Sequence, residues 1–118
     1  MQNEIWKDFN IYQKTSKGIE LIFRDKTNGG YKDITGWTIY FTVKESRNDS
    51  DDNAIIKKDI TDHSDPINGK SLIELTVLDS NKTPNNYWYD IKYKDTNGGA
   101  GILFEGRMKV VKPVTTRG

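Results

Sequence analysis

Residues 33–45 read DITGWTIYFTVKE, and this stretch decides what kind of fold to expect. Asp-Ile-Thr-Gly makes a turn. After it, Trp37, Ile39, Phe41 and Val43 fall on one side, and Thr38, Tyr40, Thr42 and Lys44 on the other. Successive side chains of a strand point to opposite faces, so the pattern predicts a β-strand with one face buried and one in water. A large aromatic at its head suits the space between two sheets that pack ~10 Å apart.

The same period recurs along the chain. Ile5, Phe9 and Ile11 share a parity near the start. Ile19, Leu21 and Phe23 alternate with Glu20, Ile22 and Arg24. Ile73, Leu75 and Val77 oppose Leu72, Glu74 and Thr76. Tyr87, Tyr89, Ile91 and Tyr93 oppose Trp88, Asp90, Lys92 and Lys94. Ile102, Phe104, Met108 and Val110 oppose Glu105, Arg107 and Lys109. The run NAIIKKDI, 53–60, reads as an edge strand. Turn signals lie between: Asn-Gly at 28–29, 68–69 and 97–98, Thr-Asn-Gly-Gly at 27–30 and 96–99, and Pro66 and Pro84, with Pro113 ending the last strand. The one expected helical turn is LDSNKTPNN, 78–86, capped by Asp79 or Ser80. Short alternating strands with turns between them predict an all-β fold, an immunoglobulin-like antiparallel β-sandwich of about seven strands, with a small barrel as rival. Tyr87 or Tyr89, after the Pro84 turn, is placed to make the corner hydrogen bond of such folds. The expected organisation is an N-terminal segment with the first strand over 1–14, the domain over 15–113 and a tail over 114–118.

The totals bound the function. A chain of 118 residues suits one domain. With no cysteine it has no disulfide framework and no thiol chemistry. The 18 basic and 17 acidic residues balance, so no nucleic-acid or membrane partner is expected. The N-terminus lacks the basic and apolar regions of a signal peptide, and no apolar run approaches the ~18 residues of a membrane helix.

The constellations that could carry chemistry are thin. His63, in TDHSDP, is the single histidine and reads as a solvated loop residue; Ser64 and Asp65 beside it make no triad. Asp49, Asp51 and Asn53 match the first half of a calcium loop, which then fails at Ala54 and Ile60. A solvated acidic loop is the better reading. GGAG at 98–101 lacks the lysine and hydroxyl of a phosphate loop. No catalytic residue, metal ligand or cofactor is assigned. Three aromatics have outward parity: Trp6, Tyr40 and Trp88. Either they form a protein–protein patch, or their true parity is inward, or the terminal segment folds over them. Lys92, Lys94, Arg107 and Lys109 share that parity.

Several motifs together resemble a bacteriophage family. They are Asp33-Ile34-Thr35-Gly36-Trp37, the Asp65-Pro66 to Asn68-Gly69 turn, Leu75-Thr76 with Asp79, and Tyr87 with Tyr89-Asp90-Ile91. From about residue 15 onward the chain is similar to the N-terminal immunoglobulin-like domain of phage baseplate upper proteins and related tail modules. The resemblance implies a structural part of a virion tail or baseplate, made in the bacterial host cytoplasm. Its expected partners are other tail proteins, with a possible homo-oligomer, a trimer or hexamer on the particle. In that family the domain heads a longer protein that carries receptor-binding proteins. This chain ends just after the module, as a small stand-alone tail protein, a fragment or a shortened prophage remnant would. The alternative is a domain that binds host-surface carbohydrate.

Overall fold

The computed structural model describes residues 5–25, 27 and 29–117. Among the described residues there are seven strands: β1 Phe9–Tyr12, β2 Lys17–Ile22, β3 Thr38–Lys44, β4 Ile56–Ile60, β5 Lys70–Leu75, β6 Asn85–Lys94 and β7 Ala100–Val111. The opening stretch is β3. Its Ile39, Phe41 and Val43 have no exposed surface, while Thr38, Tyr40, Thr42 and Lys44 are half-exposed. Strand geometry is what sorts those residues onto separate faces.

Five strands form one sheet in the order β1-β7-β6-β3-β4, and β2 pairs with β5 in a second. Ile19 and Leu21 of β2 and Ile73 and Leu75 of β5 share one core with Phe41, Tyr89, Ile91, Met108 and Val110 of the larger sheet. The fold is all-β. It is not wholly antiparallel as expected, because β1 runs parallel to β7, with Phe9 opposite Met108 and Ile11 opposite Val110. Alternation has period two in either direction, so a sequence pattern carries no strand direction. β4 is the edge strand that 53–60 was expected to be.

Three local expectations are corrected. Ile102 was placed inward with Phe104, but the β6–β7 register shifts between Ile91 and Lys92: Ile91 faces Phe104 and Lys92 faces Ile102. The extra residue, Leu103, turns toward the core, and Ile102 goes to the outer face, 37% exposed. A one-residue bulge reverses the parity of everything before it. Val77 was read as strand, but β5 ends at Leu75 and a single helical turn, α1 Val77–Ser80, follows. Its cap is Thr76 rather than Asp79 or Ser80. The Thr76 hydroxyl accepts from the Asp79 amide, and the Asp79 carboxylate accepts from the Thr76 amide. This reciprocal box supplies partners the strand would otherwise provide. Asp79 also meets Lys58 of β4 at 2.8 Å. Burial raises its pKa, but the Lys58 and Thr76 bonds together hold it below the ordinary value.

His63 is the third correction: it is half-buried, and its ring ties two elements together. One nitrogen lies 2.8 Å from the Trp37 carbonyl and the other 2.8 Å from the Ser71 hydroxyl. A carbonyl only accepts, so in the neutral ring Nε2 carries the hydrogen and Nδ1 accepts from Ser71. Ser71 is fully buried, so this is its route to satisfaction. Trp37 is half-buried just ahead of β3. It stacks on Tyr93 at 5.2 Å and meets Phe23 edge-on at 5.4 Å. The turn before it closes through Trp37 N–H to the Ile34 carbonyl, with Gly36 at φ 84°, a conformation that favours glycine. Tyr87, rather than Tyr89, makes the corner bond, donating to the Thr83 carbonyl. The two Thr-Asn-Gly-Gly tips are closed by loops of different length: the Asp25 amide donates to the Gly30 carbonyl, five residues on, and the Asp95 amide to that of Gly99, four residues on. Asn28, of the first tip, lies outside the described residues.

His63→Ala leaves a buried hydroxyl and the Trp37 carbonyl unpaired, and is expected to lower unfolding stability by about 2 kcal/mol. A urea titration checks this through a lower midpoint at unchanged slope. An unchanged midpoint would show that the strut carries no stability.

Candidate functional site

The outward residues of the five-stranded sheet line a concavity of about 840 Å³, among them Tyr40, Lys44, Trp88, Asp90, Lys92 and Glu105. Strand pairing sets their order. On β3 and β6, Tyr40 lies opposite Lys92, Thr42 opposite Asp90 and Lys44 opposite Trp88. On β6 and β7, Trp88 lies opposite Arg107 and Asp90 opposite Glu105.

Trp88 and Trp6 come together. Their ring centroids are 6.1 Å apart, edge to face. Trp6 reaches this place because residues 5–8 run beside β7: the Lys7 amide donates to the Glu105 carbonyl, and the Glu105 amide to that of Ile5. The approach is close. A Cβ on Gly106 would overlap the Lys7 carbonyl, so glycine is the residue that fits. The Tyr89 hydroxyl donates to that same Lys7 carbonyl. Burial, and then the Asp8 charge, push its pKa up to about 12, so the proton stays on to make the bond. The Arg107 amide donates to the Asp8 carboxylate.

Two guanidinium groups lie over the Trp88 ring, Arg107 at 4.0 Å and Arg47 at 5.5 Å from the centroid. Arg107 also donates to the carbonyls of Asn86 and Tyr87. Arg47 pairs with Glu105 at 3.3 Å. Trp88 is thus half-buried under its own chain's cations, while Trp6 stays 38% exposed. Tyr40 is on the same face but far from the indoles. Four residues separate the partner positions of Tyr40 and Trp88 along β6, about 13 Å of strand.

The acidic loop points at a lysine. Lys44 Nζ contacts the Asp51 carboxylate at 2.9 Å and donates to the Asp49 carbonyl at 2.7 Å. The Lys44 hydrogen bond and charge hold the Asp51 pKa low. Among the described residues no three His, Asp or Glu side chains are placed to hold a metal ion. Lys92, Lys94, Arg107 and Lys109 lie on the outer face at the expected parity. Asp90 sits in the floor. Its pKa is raised by burial first, then by the nearby Asp51 and Glu105 charges, against the opposing pull of Lys44 and Arg47.

Sequence reasoning picked out Trp6, Tyr40 and Trp88 as a group. It did not pick out Arg47, Lys57 and Asp59, which reach the same concavity from β4 and the loop after β3. Outward parity marks Lys57 and Asp59, but only the sheet order puts β4 beside β3. Among the described residues no helix is long and apolar enough to cross a membrane. No known family model matches the chain, and no curated protein sequence matches it.

Two outcomes follow. Asp90 ionises less readily in the folded chain than at its ordinary value of 3.8. Its charge therefore opposes folding at neutral pH, and the penalty fades as pH falls through the raised folded pKa toward 3.8. Asp90→Asn is expected to stabilise the protein at pH 7 by about 0.5 kcal/mol, the scale of a like-charge cross-strand pair. Melting curves from pH 7 down to pH 4 should show the advantage shrinking; a gain independent of pH would assign it to something other than charge. Gly106→Ala should lift residues 5–8 off β7. Amide hydrogen exchange at Lys7 and the tryptophan emission maximum report it: exchange speeds up and emission shifts to the red while β3 and β6 stay protected. An unchanged spectrum would mean the segment docks without that notch.

Proposed function

We propose that the chain is a non-enzymatic assembly module of a bacteriophage or prophage tail baseplate, an immunoglobulin-like domain that works by burying one sheet face against neighbouring tail proteins. The observation that carries this reading is the Trp6–Trp88–Arg107 cluster beside a concave, half-exposed sheet face. Tryptophan, tyrosine and arginine dominate the energetics of protein contacts, because each offers large area or several hydrogen bonds for little ordering entropy. The immunoglobulin-like assignment draws support from the shared core of two sheets, the Tyr87–Thr83 corner bond and the first strand running parallel to the last. The tail assignment rests on the resemblance of the turn and strand motifs to baseplate proteins. In a tail, ring symmetry supplies the neighbours, so the partners are other tail proteins or further copies of this chain, and the location is the virion.

A carbohydrate-binding reading draws on the concavity and on Tyr40. It is disfavoured at Trp88, where a sugar ring would have to compete with the Arg107 guanidinium 4.0 Å above the indole.

The test is biochemical. Particles induced from a strain carrying the gene are purified on a density gradient and probed with an antibody to this protein. A band that co-migrates with tails at fixed copy number is the expected result. Intact particles free of the protein would sink the structural reading.

A further inference from the structure

Resting on that assembly reading, the charge pattern of the outer face narrows the chemistry of the partner. The pattern is banded across the strands. One row is Lys44, Trp88 and Arg107; the next is Thr42, Asp90 and Glu105; the next is Tyr40, Lys92 and Ile102; the last is Thr38, Lys94 and Ala100. Over β6 and β7 the sequence of rows is therefore basic, acidic, basic, basic. Successive rows are two residues apart, about 7 Å along the strands. At the β4 edge the signs reverse, with Lys57 opposite Thr42 and Asp59 opposite Tyr40.

The bands are only partly neutralised within the chain. Four ion pairs join described residues, and they take up Lys44, Arg47, Lys57 and Lys58 with Asp51, Glu105, Asp52 and Asp79. Asp90, Lys92, Lys94 and Arg107 are in none of them. Arg107 spends its donors on carbonyls, which leaves its charge in place. Asp90 faces Glu105 directly, and of the two only Glu105 has an ion-pair partner, Arg47, so the row keeps one uncompensated carboxylate. A polyanion would meet the acidic row, and a polycation would meet the three basic rows. Neither fits the face.

We infer that this face receives an extended segment of a partner protein that sets a basic side chain on the Asp90–Glu105 row and an acidic side chain two positions to either side, over Arg107 and Lys92. On an extended chain every second side chain shares a face at the same spacing of about 7 Å, so all three contacts form in register. This is the sheet-face counterpart of the charge complementarity that sets specificity at protein interfaces.

Two blocked peptides test it, Thr-Glu-Thr-Arg-Thr-Glu-Thr and its charge-inverted partner Thr-Arg-Thr-Glu-Thr-Arg-Thr, titrated into ¹⁵N-labelled protein. The first is expected to shift the amides of Thr42, Asp90 and Glu105 and to bind roughly tenfold more tightly than the second. Asp90→Asn should erase the preference. Its melting curve, measured alongside, separates lost binding from lost folding. Equal binding of the two peptides, or none, overturns the banded reading. So does a chitin trisaccharide that moves the same amides where the peptides do not, which would make the face a sugar site. None of these results touches the particle experiment, so the assembly reading stands or falls separately.

Discussion

The register between β3 and β6 is the constraint on which the other features depend. Phe41 opposite Ile91 and Val43 opposite Tyr89 place four large side chains in the core at once. Each buried side chain of this size is worth roughly 1.5–3 kcal/mol. A slip of β3 by one residue would turn Phe41 and Val43 outward, so the register is held by several kcal/mol. The outer face has no say in it. Tyr40 beside Lys92, Thr42 beside Asp90 and Lys44 beside Trp88 follow from what the inner face requires. That asymmetry explains how Asp90 can stand opposite Glu105. A like-charge pair across two strands costs well under what the core gains, about 0.2–1 kcal/mol.

Around that centre, short polar devices settle where each element stops and what it leans on. The Thr76–Asp79 box ends β5, and the Asp79–Lys58 pair ties that end to β4. His63 connects the head of β3, through the Trp37 carbonyl, to buried Ser71 in β5. Ser80 donates to the Thr15 carbonyl and accepts from its amide, fixing the link between β1 and β2. Gly106 leaves room for the Lys7 carbonyl, and Tyr89 bonds it from the core side. The N-terminal segment is held by backbone and carbonyl contacts as well as by its apolar residues Phe9 and Ile11.

The outer face combines a rigid part and an open part. Trp88 is clamped by Trp6, Arg47 and Arg107, so its position is set before any partner arrives. Preorganised aromatic surface loses little entropy on contact, which is the usual basis of an anchor at an interface. Tyr40, Lys92 and Lys94 lie toward the other end and take no such support. A partner on this face would meet a fixed indole platform at one end and adjustable side chains at the other.

Period-two alternation by itself determined that the chain is all-β, that Ile39, Phe41, Val43, Tyr87, Tyr89 and Ile91 are inside, and that Tyr40, Trp88 and four basic residues are outside. Those conclusions need only local geometry, since a strand's faces are set residue by residue. The direction of β1, the inversion at Ile102, the place of His63 and the meeting of Trp6 with Trp88 were decided by tertiary structure. Each depends on a neighbour distant in sequence. β1 takes its direction from β7. Ile102 turns outward because β7 carries one more residue than β6 needs. His63 is held by Trp37 and Ser71. The site divides the same way: parity named its aromatics, but the charge rows across it exist only once the sheet order sets β7 beside β6 and β6 beside β3, because hydrogen bonding between strands, and no pattern within one, aligns them.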